Sequence, residues 1–174
     1  MILGIDLSLT GLGLVAVPGD WGLDFARVKR VTLGIALKKD ASATEQITRR
    51  SRLSLDVVTW AEHVGATHAW IEGYPASGGV YNLDKLAEIG GVVRDHLANY
   101  FRLYAETAPQ STARKFFLGK LPQRERKAIV VENVQALASP EWTADECDAF
   151  VAANFGLSEL GLPCVAGVLI GRAA

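Results

Sequence analysis

The stretch 1-MILGIDLSLTGLGLVAVPGD-20 decides how the rest of the chain is read. It holds two apolar runs, 2–7 and 12–17, with only Ser8 to Gly11 between them, a spacing that predicts an antiparallel hairpin. Gly11 and Gly13 can supply unusual backbone angles or a close approach. Pro18, Gly19 and Asp20 end the second run. Asp6 interrupts the first. A carboxylate in an apolar strand is costly to bury unless a cation or a donor meets it. Taken alone, Asp6 reads either as a turn acceptor or as the first ligand of a metal site.

Working outward, a third strand is expected from Val28 to Ile35, with Lys29 and Thr32 facing outward. Three strands in succession give an antiparallel start, unlike a dinucleotide-binding fold. Ser42 and Glu45 form a capping box for a helix with an apolar stripe through residue 64, and Gly65 is its C-cap. HAWIEGYP then reads as a short strand ending at Glu72, stopped by Gly73 and Pro75. A helix from Asn82 to Tyr100 follows, with Gly90 and Gly91 inside it, where they could let another backbone come close. FRLYAET is the next strand. Pro109 opens a short helix, QSTARKFF, which GKLP breaks. RERKAIVVENVQAL is helical up to Ser139-Pro140. WTADECDAFVAANFG is the last long helix, with a Thr143/Glu146 capping box and Gly156 as its C-cap. The tail from Leu157 reads as either helix or a partly buried extended segment. These elements make one α/β domain over residues 1–174, with a mixed sheet whose β-helix-β crossovers are right-handed.

Apolar residues make up 49% of the chain and charged residues 21%, which excludes a disordered chain. With 18 basic and 19 acidic residues, net charge gives no argument for nucleic acid, so the distribution of charge has to carry it. Cys147 and Cys164 have no metal-like spacing and suggest a reducing compartment. The start of the chain lacks the pattern of a signal peptide. The longest apolar stretch, GLPCVAGVLIG, is too short to span a bilayer. The expectation is a cytoplasmic protein with no membrane partner.

Four carboxylates fall at element ends. Asp6 and Glu72 close their strands, and Asp145 and Asp148 share a face in the first turns of the last helix. In open α/β sheets sites gather outside the carboxyl ends of strands. Oxygen ligands without a cysteine motif suit Mg²⁺ or Mn²⁺. Two such ions would suit in-line phosphodiester chemistry. Each acid also has an ordinary reading. Asp145 and Asp148 can simply favour a helix N-terminus, and Glu72 can pair with His68 or an arginine.

The ordered set ILGIDLSLTGLGLVAV, WIEG, LAEIGGVVRDHL, TARKFFLGK and DECDAF resembles the RuvC-like Holliday junction resolvases, particularly their divergent bacteriophage members, over most of the chain. The resemblance implies an RNase H-like fold, with a mixed five-stranded sheet and helices on both faces. It implies a metal-dependent endonuclease holding two Mg²⁺ ions, with Mn²⁺ as a substitute, on Asp6, Glu72, Asp145 and Asp148. It further implies a homodimer that resolves four-way DNA junctions by paired incisions leaving 5′-phosphates, in recombination and repair. If the chain is phage-encoded, it would act in the host cytoplasm. Two departures stand out. Leu7-Ser8-Leu9-Thr10-Gly11 replaces the bacterial proline-glycine turn, and Tyr74, the counterpart of an aromatic junction wedge, is one position nearer the glutamate.

TARKFFLGKLPQRERK is the most basic region, where Arg114, Lys115, Lys120, Arg124, Arg126 and Lys127 face only Glu125. Such a patch binds phosphates whatever the net charge. Arg114, Lys115, Lys120, Arg124 and Tyr74 are the expected DNA contacts, with Lys115 or Lys120 near the scissile phosphate. A solvated helix pair is the plain alternative. Arg49, Arg50 and Arg52 could guide a DNA arm or merely solubilise a helix, and Phe116 and Phe117 read as core. Three other functions stay open: a broader fork and Y-structure nuclease, a kinase- or chaperone-like nucleotide module sharing the early D-x-S/T-x-x-G segment, and an inactive DNA-binding or assembly protein.

Overall fold

Alternation along the strands sorts their side chains into two layers. In the computed structural model, which describes residues 1–8, 11–34, 41–73, 80–119 and 126–167, strands β1 (Ile2–Leu7), β2 (Gly11–Val17), β3 (Lys29–Gly34), β4 (His68–Glu72) and β5 (Ala105–Ala108) form one sheet in the order β3-β2-β1-β4-β5. β1–β2 and β2–β3 are antiparallel, whereas β1–β4 and β4–β5 are parallel. The helices are α1 (Ala43–His63), α2 (Val80–Tyr100), α3 (Gln110–Leu118), α4 (Arg126–Leu137) and α5 (Ala144–Glu159).

Leu3, Ile5, Leu12, Leu14 and Ile71 point to one face, where α1 and α2 bury them with Leu53, Val57, Val93 and Leu97. Ile2, Val15, Val17 and Trp70 point to the other, against Phe117 of α3, Val130 of α4, and Ala149 and Phe150 of α5. The strands of this sheet centre are therefore buried on both sides, which explains their near-continuous apolar runs. α5 crosses the second face. Most of its residues are buried, so it shows no polar stripe.

Both expected capping boxes form. Glu45 N donates to Ser42 Oγ at 3.2 Å and Glu146 N donates to Thr143 Oγ1 at 3.2 Å, each returned by the glutamate side chain. Gly65 follows the Val64 C-cap of α1 with a φ of +65°.

Two local expectations change, at Gly156 and over FRLYAET. Gly156 does not cap α5; the helix runs on to Glu159, and Gly156 makes room for the Trp70 ring. Gly91 faces open space among the described residues of this chain. The strand expected over FRLYAET is shorter, because Phe101 N and Leu103 N both turn back to the Leu97 carbonyl to finish α2. Pro109 opens α3 as expected, as the N-cap of the helix that starts at Gln110. The described part of the tail is extended. Asn154, fully buried on α5, accepts from Val165 N at 2.8 Å and donates to Val165 O at 2.7 Å, while Trp21 Nε1 donates to Pro163 O.

Candidate metal centre

Period two puts Asp6 on the α5 side of β1 with Ile2, and Glu72 on the same side of β4 with Trp70. The parallel register pairs Ile5 with Ile71, so Asp6 and Glu72 come next to each other at the carboxyl edge of the sheet. α5 brings Asp148 to the same place. Carboxylate oxygens of Asp6, Glu72 and Asp148 lie within 4.8 Å of one another. Asp6 and Asp148 are buried, and the Glu72 side chain is 11% exposed. Asp145 sits about one turn earlier on α5. It stands outside this close cluster but lines the same cavity of about 130 Å³, with Asp6, Ser8, Glu72, Gln110 and Lys127.

Electrostatics define the site as one that wants a cation. Burial, a hydrogen bond with Glu72, and the charges of Glu72, Asp148 and Asp145 raise the Asp6 carboxyl well above the usual carboxylate range. Burial and Glu72 push Asp148 up to about 6, against the opposing pull of Arg114 and Lys127. Asp148 Oδ2 is buried without a hydrogen-bond donor among the described residues. Among the described residues, four carboxylates thus face the side-chain cations Arg114 and Lys127. A hard divalent ion matches both the oxygen donors and the surplus negative charge, so the residues fit Mg²⁺ or Mn²⁺. The three-membered cluster can coordinate one ion.

Arg114 departs from its expected role as an exposed DNA contact. It is 8% exposed and turns inward from α3. Its Nη2 donates to Glu72 Oε1 at 3.0 Å, and its Nε donates to Asp148 Oδ1 at 3.1 Å. The inward face of α3, with Ala113 and Phe117, carries it there. Lys115 lies on the exposed side of α3, and Phe117 is core. Tyr74, Lys120 and Arg124 lie outside the described residues.

Lys127 is the residue that sequence reasoning left among general basic charges. Its Nζ stands 3.6 Å from Asp148 Oδ2, while the side chain stays 62% exposed. Its place in the first turn of α4 gave a local signal, but only the packing of α4 on α5 aims it at the acids.

A second network fixes the start of α5. Arg30 Nη1 of β3 donates to Glu146 Oε2 at 2.6 Å, and the guanidinium lies over the Trp142 ring. Thr32 Oγ1 donates to Glu146 Oε1 at 3.3 Å. Glu146 is buried and lies between the two aspartates of α5 in sequence. A larger hollow of about 370 Å³ between α1 and α2 contains the Arg50–Glu88 ion pair and lies apart from the acid cluster. Arg50 is therefore a buried structural charge.

No family model matches the chain, and no curated protein sequence does. Solved structures do. Thermus thermophilus RuvC matches with a TM-score of 0.63 at 20% identity, over 92% of this chain and 96% of that one. T. thermophilus RuvC in complex with Holliday junction substrate matches with a TM-score of 0.58 at 16% identity, over 92% and 95%. The yeast mitochondrial Holliday junction resolvase matches with a TM-score of 0.58 at 13% identity, over 87% and 75%. The fold is thus RNase H-like α/β with a mixed five-stranded sheet flanked by helices. Its topology is that of the RuvC type, to which the chain is distantly similar in structure.

Proposed function

We propose that this chain is a metal-dependent, structure-specific DNA endonuclease that resolves four-way junctions. The observation that carries the reading is the convergence of Asp6, Glu72 and Asp148 at the carboxyl edge of a RuvC-type sheet. Its fold neighbours include a RuvC bound to a Holliday junction substrate and a mitochondrial Holliday junction resolvase, and that substrate class is the one we assign here. The chain would act as a homodimer, because two symmetry-related sites can meet equivalent strands of a nearly symmetric junction. We take residues 1–174 as a single nuclease domain working in a cytoplasm.

A divalent ion held by these acids supplies Lewis-acid charge to the phosphodiester and lowers the pKa of water. The protein residues do the rest. Asp6, whose carboxyl pKa is raised by burial and by the neighbouring acids, would hold the ion together with Glu72 and Asp148. Asp145 lines the cavity as a fourth acid and would hold a second ion. Lys127 Nζ, exposed at the rim, steers and neutralises a phosphate oxygen, and Lys115 extends that positive surface. A lysine is a point charge, suited to positioning a phosphate rather than reading a base. Lys120, Arg124 and Tyr74 are assigned to DNA contact by the resemblance.

The test uses labelled four-way junction, fork and linear duplex DNA, in Mg²⁺ and in EDTA, with wild type and Asp6→Asn. Paired symmetric cuts confined to the junction, leaving ligatable 5′-phosphate nicks and lost in the variant and in EDTA, are expected. Equal cutting of forks would move the assignment to a general branched-DNA nuclease. Failure to cut any branched DNA in Mg²⁺ or Mn²⁺ would leave a binding or assembly module.

A further inference from the structure

Arg114 contacts two of the three clustered acids. Its Nη2 is 3.0 Å from Glu72 Oε1 and 2.9 Å from Asp148 Oδ1, and its side chain is 10% exposed. A guanidinium this deep is oriented by its fork and only weakly screened by water. It takes Oδ1 of Asp148, while Oδ2 has no hydrogen-bond donor among the described residues. A divalent ion among Asp6, Glu72 and Asp148 must share the last two carboxylates with Arg114. Two cations on the same pair of acids repel one another across a few ångströms of poorly screened space.

We infer that Arg114 is a built-in cation that competes with the divalent ion for Glu72 and Asp148. It holds the acids together in the ion-free protein and weakens the first ion's binding. This inference rests on the metal-site reading given above. It makes Arg114 a positioning residue rather than a DNA contact. It also ties occupancy to substrate, because a phosphodiester brings negative charge that offsets the guanidinium, so the ion binds more tightly beside DNA than without it.

The experiment is a calorimetric titration of MnCl₂ into DNA-free protein, paired with thermal denaturation in EDTA and in Mn²⁺. Wild type is compared with Arg114→Met and Arg114→Gln, which remove the charge, and Arg114→Lys, which keeps it. The neutral variants should bind Mn²⁺ about tenfold more tightly, as expected when one nearby positive charge is removed. Arg114→Lys should stay within about twofold of wild type, since its charge is retained. In EDTA the neutral variants should melt lower than wild type, and Mn²⁺ should raise their melting temperature by more than it raises that of wild type. Folding of either neutral variant only in Mn²⁺ would support the same reading, with the ion replacing the guanidinium. Unchanged or weaker binding in the neutral variants would overturn it. So would equal tightening in Arg114→Lys, or failure of both neutral variants to fold even with Mn²⁺. Wild-type protein that takes up no Mn²⁺ would instead sink the metal-site reading itself, and the inference with it.

Discussion

Gly13 of β2 lies directly against the backbone of Asp145 at the start of α5: a Cβ on Gly13 would stand 2.1 Å from the Asp145 carbonyl oxygen. Gly13 is also the register partner of Asp6 across the β1–β2 hairpin. One residue without a side chain therefore sets how close the helix-borne acids come to the strand-borne acid. Gly4, on the same side of β1, gives the same clearance to Ala149 one turn further along α5.

Gly13→Ala should therefore push the start of α5 off the sheet. The contact is with backbone, which cannot rotate away, so the variant should lose about 3 kcal/mol of stability, at the upper end of overpacking effects. Urea denaturation reads the loss. Mn²⁺ affinity should fall with it, because Asp148 moves with the helix. A variant with normal stability and normal Mn²⁺ binding would mean that the clearance is not needed.

Arg30→Met should leave the buried Glu146 carboxylate without its guanidinium. Arg30 itself is 29% exposed, so the expected destabilisation is about 2 kcal/mol, below that for a fully buried pair. Because Glu146 sits between Asp145 and Asp148, Mn²⁺ binding should weaken at temperatures where the variant is still folded. Unaltered ion affinity in the folded variant would confine Arg30 to a structural role.

Stability of the ion-free protein should carry a pH signature. Asp148 is raised to about 6, and Asp6 is raised as well, both chiefly by burial. A folded-state pKa above the unfolded value near 3.9 means that ionisation favours the unfolded chain. These two groups therefore cost nothing at low pH, and their cost grows as pH rises from about 4 through about 6. In EDTA at pH 7.5, Asp6→Asn should be more stable than wild type by on the order of 1–3 kcal/mol, a difference that vanishes near pH 4. Mn²⁺ should reverse the order at pH 7.5 by stabilising wild type. Denaturant titrations at the two pH values check both signs.

Lys127→Ala should separate binding chemistry from folding. The pair with Asp148 is 62% exposed on the lysine side, so stability should change by less than about 1 kcal/mol. Junction cleavage should fall at least tenfold, and the salt dependence of DNA binding should become shallower by about one phosphate contact. Full cleavage at all salt concentrations would remove Lys127 from the proposed site.

Much of the fold was legible because local chemistry and tertiary context agree. The hairpin spacing, both capping boxes and the α5 helix capped by Thr143 rest on contacts within a few residues, and the β4 strand ending at Glu72 shows in its own apolar run and turn residues although distant strands hold it. Where the sequence misled, a distant partner had overridden a local preference. Gly156 looks like a helix end, but the Trp70 ring requires a glycine there. Phe101 to Leu103 look extended, but the open carbonyls of α2 draw them back.

The candidate acids divide in the same way. The sequence by itself determined that Asp6 and Glu72 lie at the ends of their strands and, by helical spacing, that Asp145 and Asp148 share one face, whereas the parallel pairing of β1 with β4 brought Asp6 and Glu72 together at one sheet edge. Only the tertiary structure decided that Asp148, rather than Asp145, closes the three-membered cluster. The same holds for Arg114, whose positive charge, part of a basic run in the sequence, turns inward to the acids. The physical reason is that periodicity fixes which way a side chain leaves its own element, whereas distance and desolvation between elements depend on how α3, α4 and α5 pack on the sheet. That packing is set by residues far away in the chain, Gly13 and Arg30 among them.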